Sequence, residues 1–479
     1  MAGADLTVTG AAYPRIDLQD VQGMILRGYG DLRHARFVLL HIRKEAQSRA
    51  WLNRIIEHTT PAASRPLRLA MNVAFTRTGL ERLGLRPETL SQFSREFLEG
   101  MAHEPRSALL GDVGDSAPAN WAWGSADEID AVLFLYGPNQ DSLKVLDHAL
   151  VDSERGLSRI QVLETRRLDE NREHFGFRDG ISQPHIRHGN PADESLGLLR
   201  PSHASNVVNA GEFLLGYLDE FGAYAPSPVV SSDPFRLLVA GENGIPDFGR
   251  NGSYLVLRQL KQNVGKFWRC LGEQSNDPAA LASKLVGRWQ GGAPLVRYPY
   301  EDPGASVENE FGYRDEDPSG HRCPLGAHIR RANPRDTLDS EDSGIQIARD
   351  PFEGPTRIAN RHRLIRRGRS YGEFIEASAA VHSRDEADRG LHFACIVGSI
   401  RRQFEFVQRT WLNNPGFASL RDEPDPLVGS KIERARFTVQ QPTPAKRLEL
   451  PNFVQLRGGA YFFMPSLRAL RYLAASLNV

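Results

Sequence analysis

The sequence predicts an α+β fold built in two halves, and three observations carry the prediction. A β-rich run, ARFVLLHI at Ala35–Ile42, precedes a segment, Lys44–Glu57, in which Ser48, Leu52, Ile55 and Ile56 recur at helical spacing. From there to Thr165 the signals follow the order strand, helix, strand, insertion, strand, helix, strand, which is the ferredoxin-like βαββαβ pattern. After about residue 250 the chain runs through a looser version of the same plan.

Taken in order, the elements rest on local chemistry. Pro61 and Pro66 break the first helix. Leu67, Leu69, Met71, Val73 and Phe75 then alternate with Arg68, Ala70, Asn72 and Ala74, a period of two that predicts a strand with one face on a core. Short helical signals follow, then a strand at Ala131–Tyr136 and a turn at Gly137-Pro138-Asn139. Leu143, Leu146 and Leu150 give the next helix its apolar face, and Ser158–Thr165 reads as another strand. In the second half, strands are expected at Ser253–Leu260, Gly390–Ser399 and Ala460–Met464. Ile400, Phe404, Val407 and Trp411 share one helical face, and Pro465-Ser466 open a last helix carrying Leu467, Leu470 and Leu473. Leu199–Pro234, Gly291–His321 and Asp422–Pro451 are long, irregular stretches of the kind that carry function. A chain of 479 residues exceeds one ordinary core. The boundary is expected near Pro228–Asp247, dividing the chain into domains 1–235 and 236–479.

Composition narrows the function classes. Lys+Arg 59 against Asp+Glu 59 leaves no net charge, which argues against a general nucleic-acid binder. With 40% hydrophobic and 25% charged residues the chain is globular rather than disordered. The apolar runs, such as Val132–Tyr136 and Tyr461–Met464, fall far short of the roughly 18 residues a membrane span needs, so no membrane association is expected. Met1–Asp5 lacks the basic start and apolar core of an export signal. The cysteines Cys270, Cys323 and Cys395 are too far apart for a CxxC zinc or CxxCH haem-attachment motif, and a reducing, cytoplasmic setting is expected. GxGxxG, Walker-type, HExxH and GxSxG motifs are absent.

Four segments could carry chemistry. In Phe175–Pro184, FGFRDGISQP, two glycines flank Asp179 and would let a large ligand approach the backbone; an Asp-Gly turn is the plainer alternative. In Cys323–Arg335, CPLGAHIRRANPR, His328 stands beside arginines. It reads either as a metal-ligating imidazole next to cations for an acidic group, or as a solvated basic face. Arg361–Gly372, RHRLIRRGRSYG, is basic enough for a phosphate patch, but the alternation around Leu364 suggests a strand with arginines turned into a pocket. Leu391 and Phe393 share a strand face ahead of RQFEF, where Glu405 sits in an apolar helix and needs a partner.

GFRDGISQP, AHIRRANPR, LIRRGRSYG and GLHFACIV followed by RQFEFVQRTWLNNP, in that order, together resemble the dye-decolourising peroxidase family. DVQGMILRGYG at Asp20–Gly30 and RGGAYFFMPS at Arg457–Ser466 are similar to its larger bacterial and fungal-like subclass. The resemblance, which runs from Asp17 to Leu473, implies two ferredoxin-like domains with antiparallel sheets, of the dimeric α+β barrel type, with a noncovalent haem b between them. It implies that His328 ligates the iron, that Asp179 shuttles the peroxide proton and that Arg366 stabilises developing charge. It further implies that Ile181, Leu391, Phe393 and Phe404 line the cofactor pocket, that Arg331 pairs with a haem propionate, and that Glu405 accepts a hydrogen bond from the iron-binding imidazole. The activity it implies is reduction of hydrogen peroxide with one-electron oxidation of bulky dyes or phenolic donors. A haem-handling protein with little turnover and a cofactor-free hydrolase using His328 and Asp179 are the two rival readings. The oligomeric state is not set by the sequence.

Overall fold

The computed structural model describes residues 15–43, 45–126, 128–152, 156–189, 206–338, 356–382, 387–430, 434–441 and 444–476. Met1–Asp5, read above for an export signal, lies outside them, as do residues 199–205 of the first irregular stretch.

The first half supplies β1 (His34–Ile42), α1 (Glu45–His58), β2 (Ala70–Phe75), β3 (Ala131–Gly137), α2 (Gln140–Asp147) and β4 (Leu157–Arg166). The second half supplies β5 (Ser253–Gln262), α3 (Val264–Gln274), α4 (Pro278–Val286), α5 (His328–Ala332), β6 (Ile365–Arg366), β7 (Arg369–Tyr371), β8 (Gly390–Val397), β9 (Val454–Met464) and α6 (Leu467–Ser476). Helix starts follow side-chain capping: Asn139, Asn263 and Asp277 accept the N–H of Ser142, Lys266 and Ala280 at the heads of α2, α3 and α4.

Pairing within the first half is antiparallel in the order β2-β3-β1-β4, and within the second half in the order β9-β5-β8-β7, with β6 also on β8. Both are the ferredoxin-like strand order. The two half-sheets join edge to edge, Phe463 of β9 opposite Phe75 of β2 and Arg166 of β4 opposite Ser370 of β7, which closes a barrel. Closure satisfies the edge strands that two separate sheets would expose.

The barrel explains where the sequence pattern misled. Ala70–Phe75 is buried at every position, whereas Leu67 and Leu69, expected at the head of that strand, are 83% and 42% exposed. The strand has a core on both faces, so its alternation was not the signature of a half-solvated sheet. Phe37, Leu39, Phe134, Leu257, Ile396 and Phe462 fill the barrel interior. Val38, Leu40, Leu133, Val256 and Val397 face outward and are covered by Trp51, Leu52 and Ile55 of α1 and Leu470 and Leu473 of α6. Each core draws on both halves, so the halves pack as one unit; we propose the 235/236 division as a boundary of chain plan. Asp422–Pro451, read as irregular, contains a hairpin of Ala435–Val439 with Lys446–Leu450. No helix among the described residues is long and apolar enough to cross a membrane.

Candidate active site

A cavity of about 370 Å³ lies on the outer face of the second half-sheet. Leu391 and Phe393 of β8 point into it, while their neighbours His392 and Ala394 point into the barrel. Segments 110–116 and 173–182 of the first half close over it, so both halves wall the space, although it is not at the seam between the sheets.

His328 is the first residue of α5 and lines this cavity. Its Nδ1 lies 2.9 Å from Oδ2 of Asp425, which is fully buried and whose other oxygen accepts the N–H groups of Leu427 and Val428 at 2.9 Å each. Burial pushes the Asp425 carboxyl up, but His328 and the Val428 N–H outweigh it and hold it below the ordinary carboxylate range. Burial pushes the imidazole down, and the Asp425 charge and hydrogen bond carry it above its ordinary value. With Nδ1 committed, the ring nitrogen that remains is Nε2.

Asp179 and Arg366 reach the same cavity, with Arg366 Nη2 3.3 Å from Asp179 Oδ1. Both also lie close enough for their charges to act on His328. The Asp179 loop is held by the backbone bond Asp179 N–H to Asn171 O at 2.8 Å, by the Asn171 side-chain amide on Asp179 O, and by Glu173, which accepts Phe175 and Phe177 N–H. Gly180 has φ 84° and Gly176 φ 95°, and a side chain at Gly176 would collide with Gln290. Gln183 accepts the N–H of Arg366 and donates to its carbonyl, both at 3.1 Å, locking the two motifs together. Ile181 and Phe404 also line the cavity.

Two expected partners are elsewhere. Glu405 does not meet the imidazole: its Oε1 accepts Arg106 Nη1 at 2.6 Å and Tyr461 OH at 2.8 Å. The π-helical segment Arg401–Glu405 aims Phe404 at the cavity and thereby turns the next side chain toward Arg106. Asp425, in the loop EPDPLVG, takes the role instead; a carboxylate between two prolines was its only signal. Arg331 is fully buried, does not line the cavity, and spends its guanidinium on the carbonyls of Gly326, Trp411, Asn414 and Glu423, fixing the loop that carries Asp425.

Among the cations that do face the cavity are Arg288, Arg335 and Arg363, beside Arg366. Arg288 and Arg335 are bound by Asn309 and by backbone carbonyls, and Arg363 by Asn206 Oδ1 at 3.1 Å. Among the described residues none of the three has a carboxylate hydrogen-bond partner. Burial, with Arg335 and Arg366 nearby, pushes Arg363 down to about 9, and burial with Arg335 pushes Arg288 down to about 10. A dianionic ligand edge would relieve this concentration of buried positive charge.

Barrel and cavity define the class first: an α+β barrel whose deep pocket carries one imidazole with a free nitrogen, an acid–arginine pair and a cationic rim, as a cofactor-dependent oxidoreductase would. No family model matches the chain. Among curated proteins it is 29% identical to dye-decolorizing peroxidase msp1 of Mycetinis scorodonius, over 98% of this chain and 90% of that one. It is likewise 29% identical to the multifunctional dye peroxidase DyP2 of Amycolatopsis sp., over 95% and 93%. Among solved structures an ancestral D-type dye decolorizing peroxidase superposes with a TM-score of 0.76 at 27% identity, over 95% of this chain and 99% of that one. Over nearly its whole length the chain is thus similar to dye-decolourising peroxidases, both fungal and bacterial.

Proposed function

We propose that the protein holds a noncovalent haem b in this cavity and uses it to reduce hydrogen peroxide at the expense of aromatic donors, bulky dyes and phenols, in one-electron steps. The residues present fit the group. A single imidazole has its second nitrogen tied to a buried carboxylate, apolar walls come from Leu391, Phe393, Phe404 and Ile181, and a cationic rim suits two propionates. Haem bound there supplies the electron transfer with peroxide that no side chain of the cavity can.

The chain does the rest. His328 donates its Nδ1–H to Asp425, which fixes the tautomer, leaves Nε2 for iron and makes the ring more electron-donating. Arg335 and Arg363 take the propionate role expected of Arg331. Asp179, on a loop its hydrogen bonds stiffen, accepts a proton from one peroxide oxygen and returns it to the other. Arg366, held beside it by Gln183, stabilises the charge that grows on the departing oxygen. Leu391 and Phe393 keep the space between them narrow and apolar. The three cysteines are free, which supports a reducing, cytoplasmic setting.

The observation that carries the reading is the one cavity joining a carboxylate-tethered imidazole to the Asp179–Arg366 pair. A visible spectrum of the haem-supplemented protein before and after peroxide tests it. A Soret band that changes on peroxide addition and is lost in His328→Ala is expected; no Soret absorbance after supplementation would return the cofactor-free hydrolase to first place.

A further inference from the structure

Beyond Phe393 the same cavity ends in a buried ion pair with no part in the chemistry above. Arg258 of β5 stands directly across from Phe393 on β8, and Arg366 lies on the far side of β8, opposite Cys395. Two strand spacings put β5 and β6 roughly 10 Å apart. Over Arg258 hangs Asp112, whose Oδ1 accepts its Nη2. Both residues are only 5% exposed and both line the cavity. Asp112 Oδ2 and Arg258 Nε are buried and have no hydrogen-bond partner among the described residues. A carboxylate oxygen and an N–H buried without partners are costly, and a ligand hydroxyl in the cavity would relieve that cost.

The segment presenting Asp112 is fixed. Asn413 Nδ2 donates to Leu110 O at 2.7 Å, the Asp112 N–H donates to Ser107 O at 2.9 Å, and Ser116 Oγ accepts the N–H of Leu456 at 3.0 Å. Gly111, with φ 73°, has no room for a side chain against Asn413 and Ser430. Around the pair the wall is Leu110, Val113, Leu456 and Phe404, with the Arg258 guanidinium 5.6 Å over the Phe404 ring. Val113 is 43% exposed, so this end meets solvent.

We propose that this end of the cavity is a donor subsite for small phenols, with Asp112 Oδ2 accepting the phenol O–H and Leu110, Val113, Leu456 and Phe404 packing on the ring. The proposal rests on the peroxidase reading for its purpose, and on Asp112 and Arg258 for its specificity. They are positioning residues: they select a small aromatic carrying a hydroxyl over one that lacks it, because the methyl ether of the same ring would leave the acceptor unpaired.

Calorimetry on the haem-loaded protein without peroxide, titrated with phenol and with anisole, tests this. Phenol is expected to bind at least tenfold more tightly than anisole. In the double variant Asp112→Leu/Arg258→Met, which removes both charges so that neither is left buried alone, that gap is expected to close. Equal binding of the two probes by the unaltered protein overturns the proposal without any variant having to fold, and so does a tenfold gap that survives in the folded double variant. Peroxide-dependent bleaching of a sulfonated anthraquinone dye, measured on the same preparation, checks the peroxidase reading separately: no bleaching with the phenol gap intact refutes that reading and leaves the subsite standing.

Discussion

Replacing Asp425 by Asn is the sharpest test of how the cavity is wired. The carboxylate serves three donors: His328 Nδ1–H on Oδ2, and the Leu427 and Val428 N–H groups on Oδ1, all at 2.9 Å. An Asn of the same size keeps its amide oxygen toward the two backbone donors and presents its NH2 to the imidazole. His328 can meet an NH2 only by accepting through Nδ1, which moves the ring proton to Nε2 and occupies the nitrogen that faces the cavity. The lost bond is charge-assisted and worth about 1.5–3 kcal/mol, which at about 1.4 kcal/mol per decade is roughly ten- to a hundredfold in haem affinity. Haem transfer from the protein to excess apomyoglobin, followed by absorbance, reads that change as a dissociation rate. Glu405→Gln is the control that separates the two carboxylates. It should leave haem transfer unchanged and lower thermal stability through Arg106 and Tyr461. Unchanged haem transfer in Asp425→Asn, or loosened haem in Glu405→Gln, would refute the assignment of the imidazole partner.

Three further outcomes are expected. Arg366→Leu should retain haem but react with peroxide about 10²–10³-fold more slowly in stopped-flow absorbance, and an unaltered rate would remove it from the reaction. Arg363→Met should raise the melting temperature of the haem-free protein, since it deletes a buried cation whose side-chain hydrogen-bond partner among the described residues is the neutral Asn206, while speeding haem loss; a drop in haem-free stability would show that the cation is compensated. His392 is buried with neither ring nitrogen bonded among the described residues, and burial pushes it down to about 3, so the unfolded chain binds its proton first as pH falls below about 6.5 and stability is lost from there down toward pH 3. At pH 5 the loss is about 2 kcal/mol. His392→Phe, stacked on Tyr371 in its place, should flatten the melting temperature between pH 7 and pH 5, which calorimetry at both values checks.

The fold was legible where a strand or helix announces itself over several residues: β1, β3, β5 and β8 fall within a few residues of their apolar runs. It was misread where tertiary closure changes the meaning of a pattern, as at Leu67 and Leu69, because burial on both faces of a barrel strand cannot be told from alternation on one. The site shows the same division. Asp179 and Arg366 lie 187 residues apart in sequence, and Gln183 of the first motif bonds the backbone of Arg366 in the second. Each motif is a contiguous run of chemically distinctive residues, which is what made both readable. Asp425 has no such mark. Apart from two backbone N–H groups of its own loop, its partner among the described residues is a ring nitrogen 97 residues away, reached from a loop whose shape is set by Arg331 holding the Trp411, Asn414 and Glu423 carbonyls. An arginine that shapes a loop and one that faces a cavity are the same letter beside the same histidine; only position and partners separate Arg331 from Arg335, and those belong to the folded chain.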